Sequence, residues 1–123
     1  MTDSGSLVLR GLLDPETDFD QLAWQPFHPG VDIVELYPQS EEGCHAALLR
    51  YHPGTCVPFH LHSGYEHILI LRGSQRDSLG VYEAGTLVIK QPGTSHQVFS
   101  DDGCVVLAVW QKPVQIMGDA NTK

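Results

Sequence analysis

Apolar and β-branched residues fall in short runs along this chain, broken by turn-forming pairs at Glu42-Gly43, Pro53-Gly54, Ser63-Gly64, Pro92-Gly93 and Asp102-Gly103. This rhythm predicts strands over residues 31–37, 44–51, 55–62, 66–72, 86–90, 96–100 and 104–111, with weaker ones at 7–10 and 114–117. Many short strands at even spacing indicate an all-β sandwich or barrel. Asp14-Pro15-Glu16 is the one helix-like start, and residues 17–21 that follow carry no apolar stripe, so a single helical turn is expected there. In Glu66-His67-Ile68-Leu69-Ile70-Leu71 both faces are apolar after the first two residues, and Cys104–Trp110 reads the same way. Strands of that kind are covered on both sides. The expected cover is an outer layer of N-terminal strands together with a dimer partner.

Length and composition narrow the class. The 123 residues, 41% hydrophobic and 18% charged, fit one globular domain. We read a single domain over 1–123, with a core at about 30–117 and an N-terminal extension over 1–29. Seven basic against fifteen acidic residues leave a net charge of −8, which disfavours nucleic acid and anionic membrane as partners. No apolar run approaches the roughly 20 residues of a membrane span, and the opening Met1-Thr2-Asp3-Ser4-Gly5-Ser6 is not a secretory signal. Cys44, Cys56 and Cys104 are odd in number and form no Cys-x-x-Cys pair. A cytoplasmic protein is expected, with its cysteines as buried small apolar residues.

The histidines carry the candidate chemistry. His60 and His62 are two residues apart in a predicted strand, so they share a face with Cα atoms about 6.5–7 Å apart, close enough to converge on one ion. Glu66 would stand about 13 Å from His62 in a straight strand. A turn at Ser63-Gly64 brings it back, and His96, entering a strand after Pro92-Gly93, supplies a donor from across a barrel. On residue types alone these histidines remain open between a metal site and ordinary surface or core positions. His28, His45 and His52 have no evident ligand partner, and Cys56, although in phase with His60, is too distant. Trp24 and Trp110 read as core or interface aromatics, with a lid over a pocket as the alternative.

At this point the sequence resembles the cupins. Gly54-x5-His60-x-His62-x3-Glu66-x6-Gly73 matches their first motif at every fixed position. Gly85, Gly93 and His96 match the second, where Gln91 replaces a proline and Ser100 an asparagine. The stretch from Gly30 to Val114 is similar to the cupin domain of ChrR-type anti-sigma factors and their stand-alone relatives. That resemblance implies a double-stranded β-helix, or jelly-roll barrel, in which His60, His62, Glu66 and His96 hold one divalent metal ion (Zn, Fe, Mn, Ni or Co). The anti-sigma proteins place a helical, zinc-binding, sigma-contacting domain before the cupin. The thirty or so residues before Val31 are too few for one, so a sigma factor is not an expected partner of this chain alone.

Two function classes follow. One is a metal-dependent enzyme, such as a dioxygenase, acting on a small enolisable or anionic compound. The other is a non-catalytic module that senses metal, small ligands or oxidants; a purely structural dimer leaves the ligand set unused. A second acid or base inside the barrel would separate the first two. Tyr65, His67 and Arg50 are the candidates, with His67 read as surface or interface and Arg50 as a rim salt bridge.

Overall fold

The computed structural model describes residues 5–116. Ten strands are present among them: β1 (Gln25–His28), β2 (Val31–Tyr37), β3 (His45–Tyr51), β4 (Thr55–His62), β5 (Glu66–Asp77), β6 (Gly80–Glu83), β7 (Leu87–Lys90), β8 (Ser95–Ser100), β9 (Cys104–Trp110) and β10 (Val114–Ile116). All pairings are antiparallel, in the order β1-β2-β3-β9-β5-β8-β4-β10, with β6 and β7 also on β5. The result is the expected jelly-roll barrel. None of the described helices is long and apolar enough to cross a membrane.

β5 joins the two sides of the barrel. Its first half pairs with β7 and β9, then Ser74–Asp77 pair with β6, and Arg76 also with Phe99 of β8. The change of direction falls at Gly73, whose φ is +77° and where an added Cβ would meet the Gly103 carbonyl oxygen at 2.1 Å. Only glycine fits that corner. The sequence pattern ended this strand at 72 and missed β1 and β6, which are short and largely exposed and so lack an apolar signature. Residues 7–10, expected as a strand, have no regular structure.

Alternation along the strands produces two cores. The inner one includes Val31, Ala47, Leu49, Val57, Ile68, Ile70, Val98, Val106 and Ala108. The outer one gathers Leu48, Leu71 and Val105 under Phe19, with Leu12, Leu22 and Trp24 packed alongside. Both sides of β5 and β9 are thus covered, but the outer cover is not made of strands. It is an irregular segment ending in a 3-10 turn, Phe19–Gln21, capped by Asp18 rather than Asp14. Burying side chains such as Leu48 and Phe19 contributes about 1.5–3 kcal/mol each. Arg72 ties the segment down by donating to the Asp14 and Thr17 carbonyls. Arg50 does the same through Asp20 and Asp32 on the outside, while its guanidinium lies over Trp24.

Candidate metal centre

β4 carries His60 and His62 into the barrel through a local irregularity. Val57 opposes Val98 and His60 opposes His96, so Pro58 and Phe59 stand opposite Gln97 alone. This is a β-bulge, at a proline that has no N–H to give a ladder. The bulge shifts the phase of the strand: Thr55 and Val57 face inward before it, His60 and His62 after it. Cys56, read from the sequence as sharing His60's face, is therefore exposed, and so is Cys44. Of the three cysteines only Cys104 is buried as expected.

The chain then doubles back at Ser63-Gly64 and returns Glu66 to His62, with Glu66 Oε1 2.8 Å from His62 Nε2. Gly64 packs closely against Gln111 and Lys112, where an added Cβ would come within 2.8 Å of the Gln111 side-chain oxygen and 3.1–3.2 Å of the two Cβ atoms. His96 arrives on β8 directly across from His60. The three imidazole rings stand 4.6–5.0 Å apart between centroids. One ligating atom from each of His60, His62, Glu66 and His96 lies within 4.8 Å of all the others. An ion with bonds of about 2.1 Å spans about 4.2 Å between opposite donors, so small inward movements close the shell.

Hydrogen bonds fix which atoms face the centre. His60 Nδ1 lies 3.1 Å from the Pro58 carbonyl and His62 Nδ1 lies 3.0 Å from the Thr94 carbonyl. A carbonyl only accepts, so both Nδ1 atoms carry the proton. His96 Nδ1 donates to Asp77 Oδ2 at 3.2 Å. Asp77 is itself held by the Leu79 N–H, the Tyr82 hydroxyl and Lys90 Nζ. Burial pushes the Asp77 carboxyl up, and these donors together bring it well below the ordinary carboxylate value. With Nδ1 engaged in each ring, Nε2 is the nitrogen left to face the centre.

Glu66 completes the set. Its Oε2 accepts a 2.7 Å hydrogen bond from Trp110 Nε1, which leaves Oε1 for the centre. Burial raises its pKa, but the bonds from His62 and Trp110 and the neighbouring imidazoles outweigh that and lower it. Burial lowers the pKa of His60 and takes that of His96 down to about 4, so both rings are neutral near pH 7. His96 Nε2 is buried with no hydrogen-bond partner among the described residues. Four ligating atoms thus converge, and the proton of the His62 Nε2–Glu66 Oε1 hydrogen bond is what a cation there would displace. This donor set fits a divalent cation.

The other sequence candidates lie elsewhere. Tyr65 and His67 are exposed, and Arg50 points out of the barrel into its salt bridges. His52 pairs with Asp32, and His45 pairs with Glu35 and stacks against Trp110. His28, read as a bland turn residue, lines the cavity beside the centre. Sequence reasoning missed Asp77, Thr94 and the Glu66-binding role of Trp110. The alternation of β9 puts Trp110 on the inward face, a usable signal; Asp77 sits in a turn-like Asp-Ser-Leu-Gly stretch that carries none.

The profile of the ChrR cupin-like domain matches residues 14–115, a span that takes in most of the segment forming the outer cover. A chain in the crystal structure of Rhodobacter sphaeroides SigE in complex with the anti-sigma ChrR is 28% identical, with a TM-score of 0.68 over 76% of this chain and 51% of that one. This protein therefore spans about half the length of that relative. Two further folds are alike. An acetylacetone dioxygenase from Acinetobacter johnsonii gives a TM-score of 0.71 at 18% identity, covering 81% of this chain and 74% of its own. A putative acetylacetone dioxygenase from Methylibium petroleiphilum gives 0.72 at 17%, covering 82% and 78%. At such identities the likeness is one of fold. No curated protein matches the sequence. With the family profile spanning most of the barrel and the motif residues gathered at one centre, the chain belongs to the ChrR cupin-like domain family.

Proposed function

We propose that His60, His62, Glu66 and His96 bind one divalent metal ion and that the protein acts there on a small enolisable or anionic compound, as a metal-dependent enzyme such as a dioxygenase. The observation that carries this reading is the hydrogen bonding of the three Nδ1 atoms to Pro58, Thr94 and Asp77, which turns three Nε2 atoms and Glu66 Oε1 toward one point. When bound, a divalent ion supplies Lewis acidity and a binding position for oxygen donors. The protein does the rest. Trp110 and Thr94 orient Glu66 and His62, Asp77 orients His96, and an apolar wall of Leu49, Val57, Ile68 and Val98 limits access of water. Burial raises the pKa of Tyr51, so its hydroxyl keeps its proton and serves as a neutral polar group in the wall.

Likeness to the ChrR complex favours a second reading, a module that senses metal and small ligands without turnover. The three free cysteines accord with a cytoplasmic setting. Exposed Leu87 and Ile89 on one face of β7 accord with a homodimer. Elemental analysis of protein purified without chelators, followed by oxygen uptake with Fe(II) and β-diketones or simple keto acids, tests the proposal. One metal per chain and Fe(II)-dependent oxygen consumption are expected of the oxygenase; tight metal with no turnover favours the sensor. Absence of metal binding would overturn both.

A further inference from the structure

The strand order leaves a seam in the barrel. β1 and β10 stand at its two ends, and among the described residues each is paired on one side only, β1 with β2 and β10 with β4. At this seam Phe27 and His28 of β1, Trp110 of β9 and Val114 of β10 line both the cavity that holds His60, Glu66 and His96 and a groove outside it. The groove therefore adjoins the metal centre. Trp110 Nε1 donates to Glu66 Oε2 at 2.7 Å, and Val114 is paired with His62. Phe27 and His28 are neighbours in sequence, and strand alternation would send them to opposite faces. They share a wall because Pro26 opposes Asp32 and His28 opposes Val31, which makes Phe27 the extra residue of a β-bulge. A bulge beside a site re-aims a side chain, and here it aims an aromatic ring.

Size and composition decide what the groove takes. The cavity volume is about 60 Å³. Against roughly 10–15 Å³ for one water, that admits about four to six heavy atoms, enough for a metal-binding head and little else. The rest of a larger ligand has to lie outside, and the seam is where cavity and groove meet. The groove measures about 270 Å³, and its described lining includes no Asp, Glu, Lys or Arg. It offers rings instead. On β1, Phe27 stands edge-on to His28 with centroids 4.6 Å apart; across β3 and β9, His45 tilts against Trp110 at 5.2 Å. His45 and Trp110 are buried, whereas Phe27 is 43% exposed. Phe27 thus keeps uncovered ring surface at the groove, which a further aromatic ring can cover at the separation that ring pairs prefer.

We propose that this groove is a subsite for an aromatic ring, joined by a short link to the oxygen-donor head that the metal centre takes, and that Phe27 selects the ring. This rests on the metal-binding reading above and adds the body of the ligand to it. Three 2-oxo acids share one head and differ only beyond it: 2-oxopropanoate, 2-oxo-3-phenylpropanoate and 2-oxo-3-cyclohexylpropanoate. Each is titrated calorimetrically into zinc-loaded protein, after zinc per chain has been measured. The wild type is expected to bind the phenyl compound about tenfold more tightly than 2-oxopropanoate. Its expected preference for phenyl over cyclohexyl is about two- to fivefold. Phe27→Leu keeps apolar bulk without a ring, so it should retain most of the first preference and lose the second. Phe27→Ala should lose most of both, and zinc per chain should stay unchanged in either variant. Wild type that binds 2-oxopropanoate or the cyclohexyl compound as tightly as the phenyl one overturns the subsite. So do preferences left intact by Phe27→Ala, or no binding of any probe to zinc-loaded wild type. Failure of the wild type to take up zinc overturns instead the metal reading beneath it.

Discussion

The inward and outward faces of β3, β5 and β9 are built from the same strands, yet they do different work. On the inward face Glu66, Trp110 and Tyr51 join apolar neighbours around a cavity, and each buried polar group near the centre is held by a named partner or aimed at a shared point. On the outward face Leu48, Leu71 and Val105 are simply covered, by a segment of irregular backbone pinned by two arginines. One face needs angular precision and the other needs area. Substitutions should therefore separate metal binding from stability, depending on which side of a strand they strike.

The largest separation is expected at His62. His62→Ala should reduce metal from about one per chain to near zero by elemental analysis while the far-ultraviolet spectrum stays β-rich; retention of a full equivalent would dissociate His62 from the centre. On the opposite face, Leu48→Ala should cost about 2–5 kcal/mol in denaturant unfolding, and the folded variant should still bind metal stoichiometrically. Loss of metal in that variant would show that the two faces are not independent.

Acid provides a third probe. His96 has a folded pKa of about 4 against an ordinary 6.5, so between those values the unfolded chain binds a proton that the native, metal-free protein refuses. Stability of the metal-free protein should accordingly fall as pH drops from 6.5 to 4, by on the order of 3 kcal/mol if the group acts alone. Bound metal should suppress the loss until protons displace it. A flat profile over that window would contradict the buried, neutral imidazole.

Two smaller effects sharpen the contrast. Asp77→Asn keeps the shape but weakens the acceptor behind His96, and metal affinity measured by chelator competition should drop about 10- to 100-fold. Arg72→Ala removes the donors to Asp14 and Thr17 and should cost about 1 kcal/mol, with metal affinity unchanged. Equal affinity in Asp77→Asn, or altered affinity in Arg72→Ala, would blur the distinction.

Strand periodicity and turn residues narrowed the fold to an all-β sandwich or barrel, and it was the resemblance to the cupins that selected the barrel and grouped His60, His62, Glu66 and His96 as candidate ligands. Three things escaped that reading for physical reasons. The strand-like run at 7–10 has no place in a sheet because the outer face needs only apolar cover, which residues 12–24 supply without regular hydrogen bonding. Asp77 reaches His96 only because β5 turns the corner at Gly73 and continues for four more residues, a tertiary event with no local period. Cys56 was placed on the wrong side because alternation was carried straight through Pro58 and Phe59.

That last feature has an evolutionary edge. A relative lacking one residue between Val57 and His60 would keep the His-x-His pair and its glutamate, with the glycine one residue nearer, and yet turn its imidazoles out to solvent, with Leu61 in their place. The five-residue interval between Gly54 and His60 therefore decides which way the histidines face, and deletion of Phe59 alone would leave the four ligating atoms without a common centre.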